Sequence, residues 1–448
     1  MSSNNSPAIP NGLGAEQIAI YQEVIRTVKA RPKGFEIPHV VVITDIGKDY
    51  DDLTAMIILK ELHRLGAIKL EGFIANLAPA NKRAHFARKA LDMLGLEDIP
   101  VGQGTRGEPP IPKENEDMYK PPAAYEFPKE IMGEEPYPAQ TSGLDLLQEL
   151  GANAVKGQYK LTFLLISSLQ DITEFKRNLQ PDPNSQLQPL KQITSRVILQ
   201  GAYHLEYDLI APSTCDTKHP LCPAALKPEH VANNDWNWHD AEEFHAFLDQ
   251  QNIPSVVYTR NAAFETPLTY TIFKKMAATG QGLGVALYDI EKPQNLAFYA
   301  GACSTPPAHP GRDQEWFLTN RSTFYENHPL NTPPGALPDP NTEAILDYCK
   351  VVVYDALAAL GTSGDDILDA LDVLKKPRYD EELVHNELHR VVGIDSVLCR
   401  KGADEGNPSV NGQSSTSSAS TNPRKMKHVI ESLLMGALLD SGGKMIEN

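Results

Sequence analysis

The chain has 448 residues, of which 41% are hydrophobic, and 41 basic and 58 acidic residues give it a formal net charge of −17. This length exceeds the range of about 250 to 300 residues at which a single core usually stops growing, so we expect one large domain with insertions or appendages. The negative balance, without any basic patch, excludes nucleic acid and anionic membranes as expected partners. It is compatible with binding a cation or a neutral small molecule.

The amino-terminal residues 1–14 are polar, and no run of the chain reaches the length of a membrane span. We therefore expect a cytoplasmic protein without a signal peptide. The five cysteines are an odd number in a long chain, which argues against a disulfide framework. Cys215, His219 and Cys222 offer three zinc ligands, but this segment has no fourth ligand, so we favour a plain loop.

Strand and helix patterns alternate along most of the chain. Apolar strands are predicted at 40–43, 68–74, 98–104, 161–167, 196–202 and 254–258, and helices at 15–29, 53–62, 82–94, 144–155, 240–251 and 343–360. This alternation predicts an α/β fold in which a mostly parallel, Rossmann-like central sheet is flanked by helices.

Three Pro-rich or polar segments interrupt the pattern and are interpreted as loop insertions, near 107–142, 203–232 and 303–342. They divide a central domain over 36–400, which follows an amino-terminal extension with a helix over 1–35. Residues 401–427 are rich in Ser, Thr and Gly and are predicted to form a disordered linker. A carboxyl-terminal helix is expected within 428–448.

The most informative segment joins the first predicted strand of the sheet to the helix that follows it. It carries four acids within eight positions: Asp45, Asp49, Asp51 and Asp52. Ligands of open α/β sheets bind at the carboxyl ends of strands, and the amino end of a helix stabilises carboxylates. A hard cation such as Ca²⁺ or Mg²⁺ would balance so much charge. The alternative is an acid-capped surface turn, because Asp is a favoured N-cap residue.

The segment Asp45-Ile-Gly-Lys-Asp-Tyr-Asp-Asp52 resembles the motif D-x-D-x-G-x-D-D of the inosine-uridine-preferring nucleoside hydrolases. A haloacid-dehalogenase-type phosphatase is a distant second, because its motif requires a closer second Asp and a following Thr. Other segments resemble the nucleoside hydrolases in family order: Asn76, Ser167–Thr173, Leu199–Ala202, Ala232–Glu243 and Val353–Ala358. The resemblance implies a nucleoside hydrolase-like catalytic domain, with the matches running from about residue 38 to residue 360.

The resemblance implies Ca²⁺-dependent hydrolysis of the N-glycosidic bond of a nucleoside or nucleoside-like ribosyl compound. An Asp-activated water and an oxocarbenium-like transition state would carry the reaction. The implied metal ligands are Asp45, Asp52, the backbone carbonyl of Gln170, and Asp355. The implied base is Asp45, or Asp49 in a gapless register. The implied substrate contacts are Asp51, Asn76, Asn233, Asn234, Asp235 and Asn237.

Tyr354 stands where many relatives carry a His that serves as a possible acid, and Tyr with its usual pKa near 10 is a poor proton source. A non-catalytic relative that binds a ligand or a protein therefore stays open as the alternative. The family also implies a homodimer or homotetramer. Arg260 either contacts a charged substrate group or pairs with acids structurally, and we favour the latter. His385 and His389 are interpreted as helix-surface residues.

Overall fold

The computed structural model describes residues 7–47, 49–108, 127–179, 189–207, 224–330, 332–375, 389–393 and 418–441. The predicted cysteine loop at 215–222, His385, and residues 401–417 of the predicted linker lie outside the described residues. In the described ranges, no helix combines the length and the hydropathy needed to cross a bilayer.

The elements alternate much as their apolar patterns predict. The strands are β1 (His39–Thr44), β2 (Lys69–Ala75), β3 (Val101–Gln103), β4 (Thr141–Ser142), β5 (Leu161–Ile166), β6 (Thr194–Gly201), β7 (Tyr203–Tyr207), β8 (Ala224–Pro228), β9 (Ser255–Thr259), β10 (Leu268–Thr269), β11 (Lys350–Val351), β12 (Leu374–Lys375), β13 (His389–Val392) and β14 (Ser418–Thr421). The helices are α1 (Ala15–Ala30), α2 (Tyr50–Arg64), α3 (Ala80–Met93), α4 (Lys129–Met132), α5 (Gly143–Gly157), α6 (Gln170–Asn178), α7 (Leu190–Ile193), α8 (Ala232–Asp235), α9 (Trp238–Gln251), α10 (Arg260–Glu265), α11 (Thr271–Ala278), α12 (Gly282–Cys303), α13 (Gln314–Asn320), α14 (Phe324–Asn327), α15 (Tyr354–Gly361), α16 (Asp365–Leu371) and α17 (Pro423–Asp440).

Ten strands form one sheet in the order β12-β14-β13-β9-β6-β5-β1-β2-β3-β4. Each neighbouring pair is parallel except β12 with β14, which is antiparallel. The predicted α/β fold with a mostly parallel sheet is therefore confirmed. The strand order runs from β1 toward β2 in one direction and from β5 toward β6 in the other. The carboxyl ends of β1 and β5 thus form the switch point at which such sheets bind ligands.

Helices cover both faces of the sheet, which is why its central strands read as continuous apolar runs. In β1, Val40 and Val42 pack into the core that contains α2, α15 and α17. Val41 and Ile43 point to the opposite face and pack into the core beneath α5, α6 and α9.

The carboxyl-terminal part of the chain differs from its prediction. Residues 418–427, which we placed in the disordered linker, form β14 and the first turn of α17. Helix α17 is mostly buried, and the Lys60 ammonium of α2 donates hydrogen bonds to Asp440 (2.6 Å) and to the Ala437 carbonyl (3.1 Å). The linker prediction fails there because apolar residues resume at Met426, directly after a polar run.

Two other local predictions are wrong. The helix expected over 343–360 is a 3-10 turn at Ala344–Asp347, then β11, then α15, because the β-branched run Val351–Val353 favours extended backbone. His389 is a fully buried residue of β13, and its Nδ1 lies 2.7 Å from Ser255 Oγ on β9. The predicted helix surface for His389 is incorrect because this segment joins the sheet.

Candidate active site

A cavity of about 730 Å³ opens at the carboxyl ends of β1, β5, β6 and β9. It therefore lies at the switch point of the sheet. Its lining residues are Asp45, Asp49, Asp51, Asp52, Ile166, Gln200, Gly201, His230, Val231, Ala232, Asn233, Arg260, Asn261, Phe264, Arg312, Trp316, Asn320, Arg321, Tyr354 and Asp355. The acids and the arginines of this lining are supplied by different parts of the chain.

The first side of the cavity is an acidic wall, formed by Asp45, Asp49, Asp51, Asp52 and Asp355. Asp49 is the N-cap residue of α2, and the next two acids lie in its first turn, where the helix dipole favours negative charge. One carboxylate oxygen from each of these three acids lies within 4.8 Å of the others. Asp355 occupies the first turn of α15, and its charge repels the Asp51 carboxylate. The acidic turn predicted from the sequence is thus one half of a two-helix site.

One residue of the motif, Gly47, and one outside it, Arg83, hold the acidic turn in shape. Gly47 has φ +87°, and a side chain at this position would overlap the ring of Phe127. The fully buried Arg83 guanidinium of α3 donates to the carbonyls of Asp45, Ile46 (3.0 Å) and Leu77 (3.0 Å). This role of Arg83 was not predicted from the sequence. The available signal was a charged residue on the apolar face of the helix predicted at 82–94.

Asp52 and Asp51 have contrasting environments. The Asp52 Oδ1 atom accepts a hydrogen bond from the Thr44 hydroxyl and one from the Asp45 backbone N–H at 3.2 Å, so its carboxylate is fixed at the end of β1. Asp51 Oδ1 is buried and has no hydrogen-bond donor among the described residues. Burial, followed by repulsion from Asp355, raises the pKa of Asp51 well above its usual value. A buried, unsatisfied carboxylate oxygen among other hard oxygen donors fits a cation of the Ca²⁺ or Mg²⁺ class.

Tyr354 lies in the cavity lining between the two walls. It is the first residue of α15, and its ring makes an edge-on contact with Phe264 at 6.0 Å between centroids. Burial raises the pKa of the Tyr354 hydroxyl, and the positive charge of the nearby Arg321 only partly opposes this. The hydroxyl is therefore protonated at neutral pH and is suited to donating a hydrogen bond.

Asn76 and Gln170 are placed away from the cavity lining. The Asn76 amide donates to the Ser168 carbonyl (3.0 Å) and to Asp171 Oδ2 (2.8 Å), and its oxygen accepts from the Ser167 hydroxyl (2.5 Å). Its hydrogen bonds tie β2 to the turn after β5. The Gln170 side chain donates to Glu174 within α6 (2.8 Å). At this strand end the cavity lining residue is Ile166, four positions earlier.

The Asn-rich segment 233–237 contributes one residue to the lining. Asn233 lines the cavity and donates to Gln200 Oε1 at 2.7 Å. Asn234 is fully buried and donates to the carbonyls of Ala202 and Glu229, so it has a packing role. Asp235 pairs with His230, and Asn237 caps α9 by accepting from the Asp240 N–H.

The second side of the cavity is an arginine wall, formed by Arg260, Arg312 and Arg321 together with Trp316. Arg260 begins α10 directly after β9, whereas the other three belong to the third predicted insertion, in and around α13. Of these residues, only Arg260 was a candidate from the sequence. The insertion resembles nothing that would have marked Arg312, Trp316 or Arg321 in advance.

No protein-family model and no curated protein matches the chain. Among solved structures, the type III effector protein XopQ complexed with adenosine diphosphate ribose is similar at TM-score 0.65 and 18% identity, over 95% of this chain and 100% of that one. The effector protein XOO4466 is similar at TM-score 0.65 and 17% identity, over 95% and 99%. At these identities the similarity shows a shared fold.

Weaker matches include the purine-preferring ribonucleoside hydrolase from Gardnerella vaginalis, with TM-score 0.44 and 14% identity over 89% of this chain and 99% of that one. Nucleoside hydrolases are thus among the structural neighbours of this α/β fold. Scores at this level add no support to a functional assignment, which therefore depends on the site itself.

Proposed function

We propose that the protein is a Ca²⁺-dependent N-ribohydrolase that cleaves the N-glycosidic bond of a nucleoside-like ribosyl compound. The observation that carries the proposal is the acidic wall at the switch point of the sheet. There, Asp51 presents a buried oxygen without a hydrogen-bond donor among the described residues, beside the carboxylates of Asp49 and Asp52. Burying so many carboxylates is costly unless a bound cation offsets their charge.

The side chains of Asp45, Asp52 and Asp355 would hold the ion. A backbone carbonyl at the end of β5 is the further oxygen donor that we expect, and the position of Ile166 in the cavity lining makes it a better candidate than Gln170. When bound there, Ca²⁺ would offer coordination positions to vicinal hydroxyls of a sugar and would lower the pKa of a water molecule.

Side chains of the protein would bind the sugar, accept the proton and stabilise the developing charge. Asp51 would accept hydrogen bonds from the ribose hydroxyls, and Asn233, the second residue of α8, would contact the sugar. Asp45, or Asp49 at the N-cap of α2, would accept the proton of the attacking water. The negative potential of the acidic wall would stabilise the positive charge that develops on the sugar ring. The Tyr354 hydroxyl would donate a hydrogen bond toward the leaving group.

The second candidate is a protein of this fold that binds a ribosyl ligand without turning it over. The observation that favours it is Tyr354, because a phenol whose pKa is raised by burial is a weak general acid. The similar effector XopQ forms a complex with adenosine diphosphate ribose, and a ligand of that type would suit this alternative.

Release of reducing sugar from a panel of purine, pyrimidine and nicotinamide nucleosides, together with the corresponding nucleotides, tests the proposal. In the presence of Ca²⁺ we expect turnover of at least one compound, and Asp52→Asn should lower it by about 100-fold or more. Asp98→Asn is the matched control, because it removes the same charge from an exposed loop position. Absence of sugar release from every compound by the Ca²⁺-loaded wild type would refute hydrolysis and leave the binding alternative.

A further inference from the structure

Three arginines, Arg260, Arg312 and Arg321, line the same cavity as the acidic wall. None of the three forms an ion pair with a carboxylate of the described residues. The chain carries 58 acidic and 41 basic residues, so most cations have acids available to pair with. Three guanidinium groups around one cavity, none paired with a described carboxylate, point to an anion that comes from outside the protein.

Two of the three guanidinium groups lie against aromatic rings. The Arg312 guanidinium lies 5.4 Å from the centre of the Trp316 ring, and that of Arg321 lies 5.9 Å from the centre of the Phe264 ring. An arginine that rests against an aromatic face keeps its N–H edge available for hydrogen bonds, and this edge matches the geometry of phosphate oxygens. Asn261 and Asn320, which directly follow Arg260 and precede Arg321 in the sequence, also line the cavity.

We propose that the arginine wall is a phosphate subsite, and that the substrate is a ribosyl compound that also carries phosphate, such as a nucleotide or a nucleoside diphosphate ribose. This inference rests on the proposed ribosyl site at the acidic wall. A ligand with a sugar at one end and phosphate at the other would be oriented by the opposite charges of the two walls. A neutral nucleoside would leave all three guanidinium groups without an anionic partner.

Titration calorimetry in the presence of Ca²⁺ tests the subsite with adenosine, AMP, ribose, ribose 5-phosphate and ADP-ribose as probes. For the wild type we expect AMP and ADP-ribose to bind roughly 10- to 100-fold more tightly than adenosine, the range of a few charge-assisted hydrogen bonds. Ribose 5-phosphate should likewise bind more tightly than ribose, which separates the phosphate from the base. In the double variant Arg260→Gln and Arg312→Gln, each ratio should fall to about one.

Arg26→Gln is the matched control, because it removes the same charge from a side chain of α1 that is 75% exposed. This variant should keep the wild-type ratio of affinities between probes with and without phosphate. A ratio below twofold in the wild type, or an unchanged ratio in the double variant, would overturn the phosphate subsite.

Failure of the subsite and failure of the proposed function give different results. Sugar release from neutral nucleosides without any preference for phosphate would overturn the subsite alone. A preference for phosphate that depends on the arginines, with no sugar release from any probe, would refute hydrolysis and support the subsite.

Discussion

The two walls of the cavity differ in how the fold builds them. The acidic wall is buried, with Asp45, Asp51, Asp52 and Asp355 between 2% and 7% exposed, and it stands on a strand end and on the first turns of α2 and α15. The arginine wall is more open: Arg260 and Arg312 are exposed, and most of it belongs to an insertion. The proposed chemistry is therefore located at the sheet, whereas the proposed phosphate subsite belongs mostly to a peripheral segment.

This difference yields predictions that disturb one wall and spare the other. The largest expected effect is on the stability of the fold. It concerns the contact of α17 with α2, the helix whose first turn carries Asp51 and Asp52. In Gly436→Ala, the new methyl group would overlap the buried Tyr21 ring, whose hydroxyl donates to Glu61 of α2 at 2.6 Å. We expect a loss of about 3 kcal/mol in the free energy of unfolding, measured by urea denaturation. Ser441→Ala, just beyond α17, is the control and should cost far less; equal stability of Gly436→Ala and wild type would contradict the packing.

The next prediction concerns the pH dependence of stability, which depends on two buried histidines outside the cavity lining. Burial, with added repulsion from His389, lowers the pKa of His245 to about 3, and burial lowers that of His389 to about 4. Because both values lie below the unfolded value of about 6.5, the neutral forms stabilise the fold at high pH, and this contribution is lost as the pH falls below 6.5.

Between pH 7 and pH 5, each buried histidine should therefore reduce stability by about 2 kcal/mol. The variant His245→Phe should remove its share of this pH dependence, because neither ring nitrogen has a hydrogen-bond partner among the described residues. Urea denaturation at the two pH values checks this. An unchanged difference between pH 7 and pH 5 in the variant would contradict the burial of a neutral His245.

A smaller effect separates charge repulsion from ion binding in the acidic wall. Without Ca²⁺, Asp51→Asn should raise the free energy of unfolding by about 1 kcal/mol, because it removes a buried carboxylate that faces other acids. With Ca²⁺ at 100 times its dissociation constant, the wild type should gain about 2.7 kcal/mol. The Asp51→Asn variant should gain less stability from Ca²⁺ than the wild type does. Thermal unfolding with Ca²⁺ and with chelator gives all four values, and a wild type insensitive to Ca²⁺ would argue against a resident ion.

The smallest effect tests the residue between the walls. Tyr354→Phe removes one hydroxyl and should lower turnover by about three- to tenfold, as expected for a lost hydrogen bond. Steady-state kinetics should show this loss mainly in kcat. A loss of about 1000-fold, within the upper range of general acid catalysis, would instead make Tyr354 the proton donor.

The difference between the acidic wall and the arginine wall also explains how much of the fold and of the site could be predicted from the sequence. The acidic turn was recognisable because its acids are contiguous and follow an unbroken β-branched strand, and the α/β sheet followed from the alternation of apolar segments. Long-range packing had no local pattern: β14 and the first turn of α17 were assigned to a disordered linker, although β14 pairs near one end of the sheet and α17 packs into the core. Asn234 and Asn237 matched a motif by residue type, but their amides are used in packing and capping. Arg312 lies in an insertion whose local sequence does not mark it, whereas Arg83 was marked only by its charge on the apolar face of a predicted helix.

A crystal structure with Ca²⁺ and ADP-ribose tests the central claim most directly, that one cavity binds a ribose at its acidic wall and phosphate at its arginine wall. We expect an ion among Asp45, Asp52 and Asp355, a ribose beside Asp51, and phosphate oxygens hydrogen-bonded to Arg260 or Arg312. An ion and a sugar bound elsewhere, or phosphates directed away from both arginines, would contradict it.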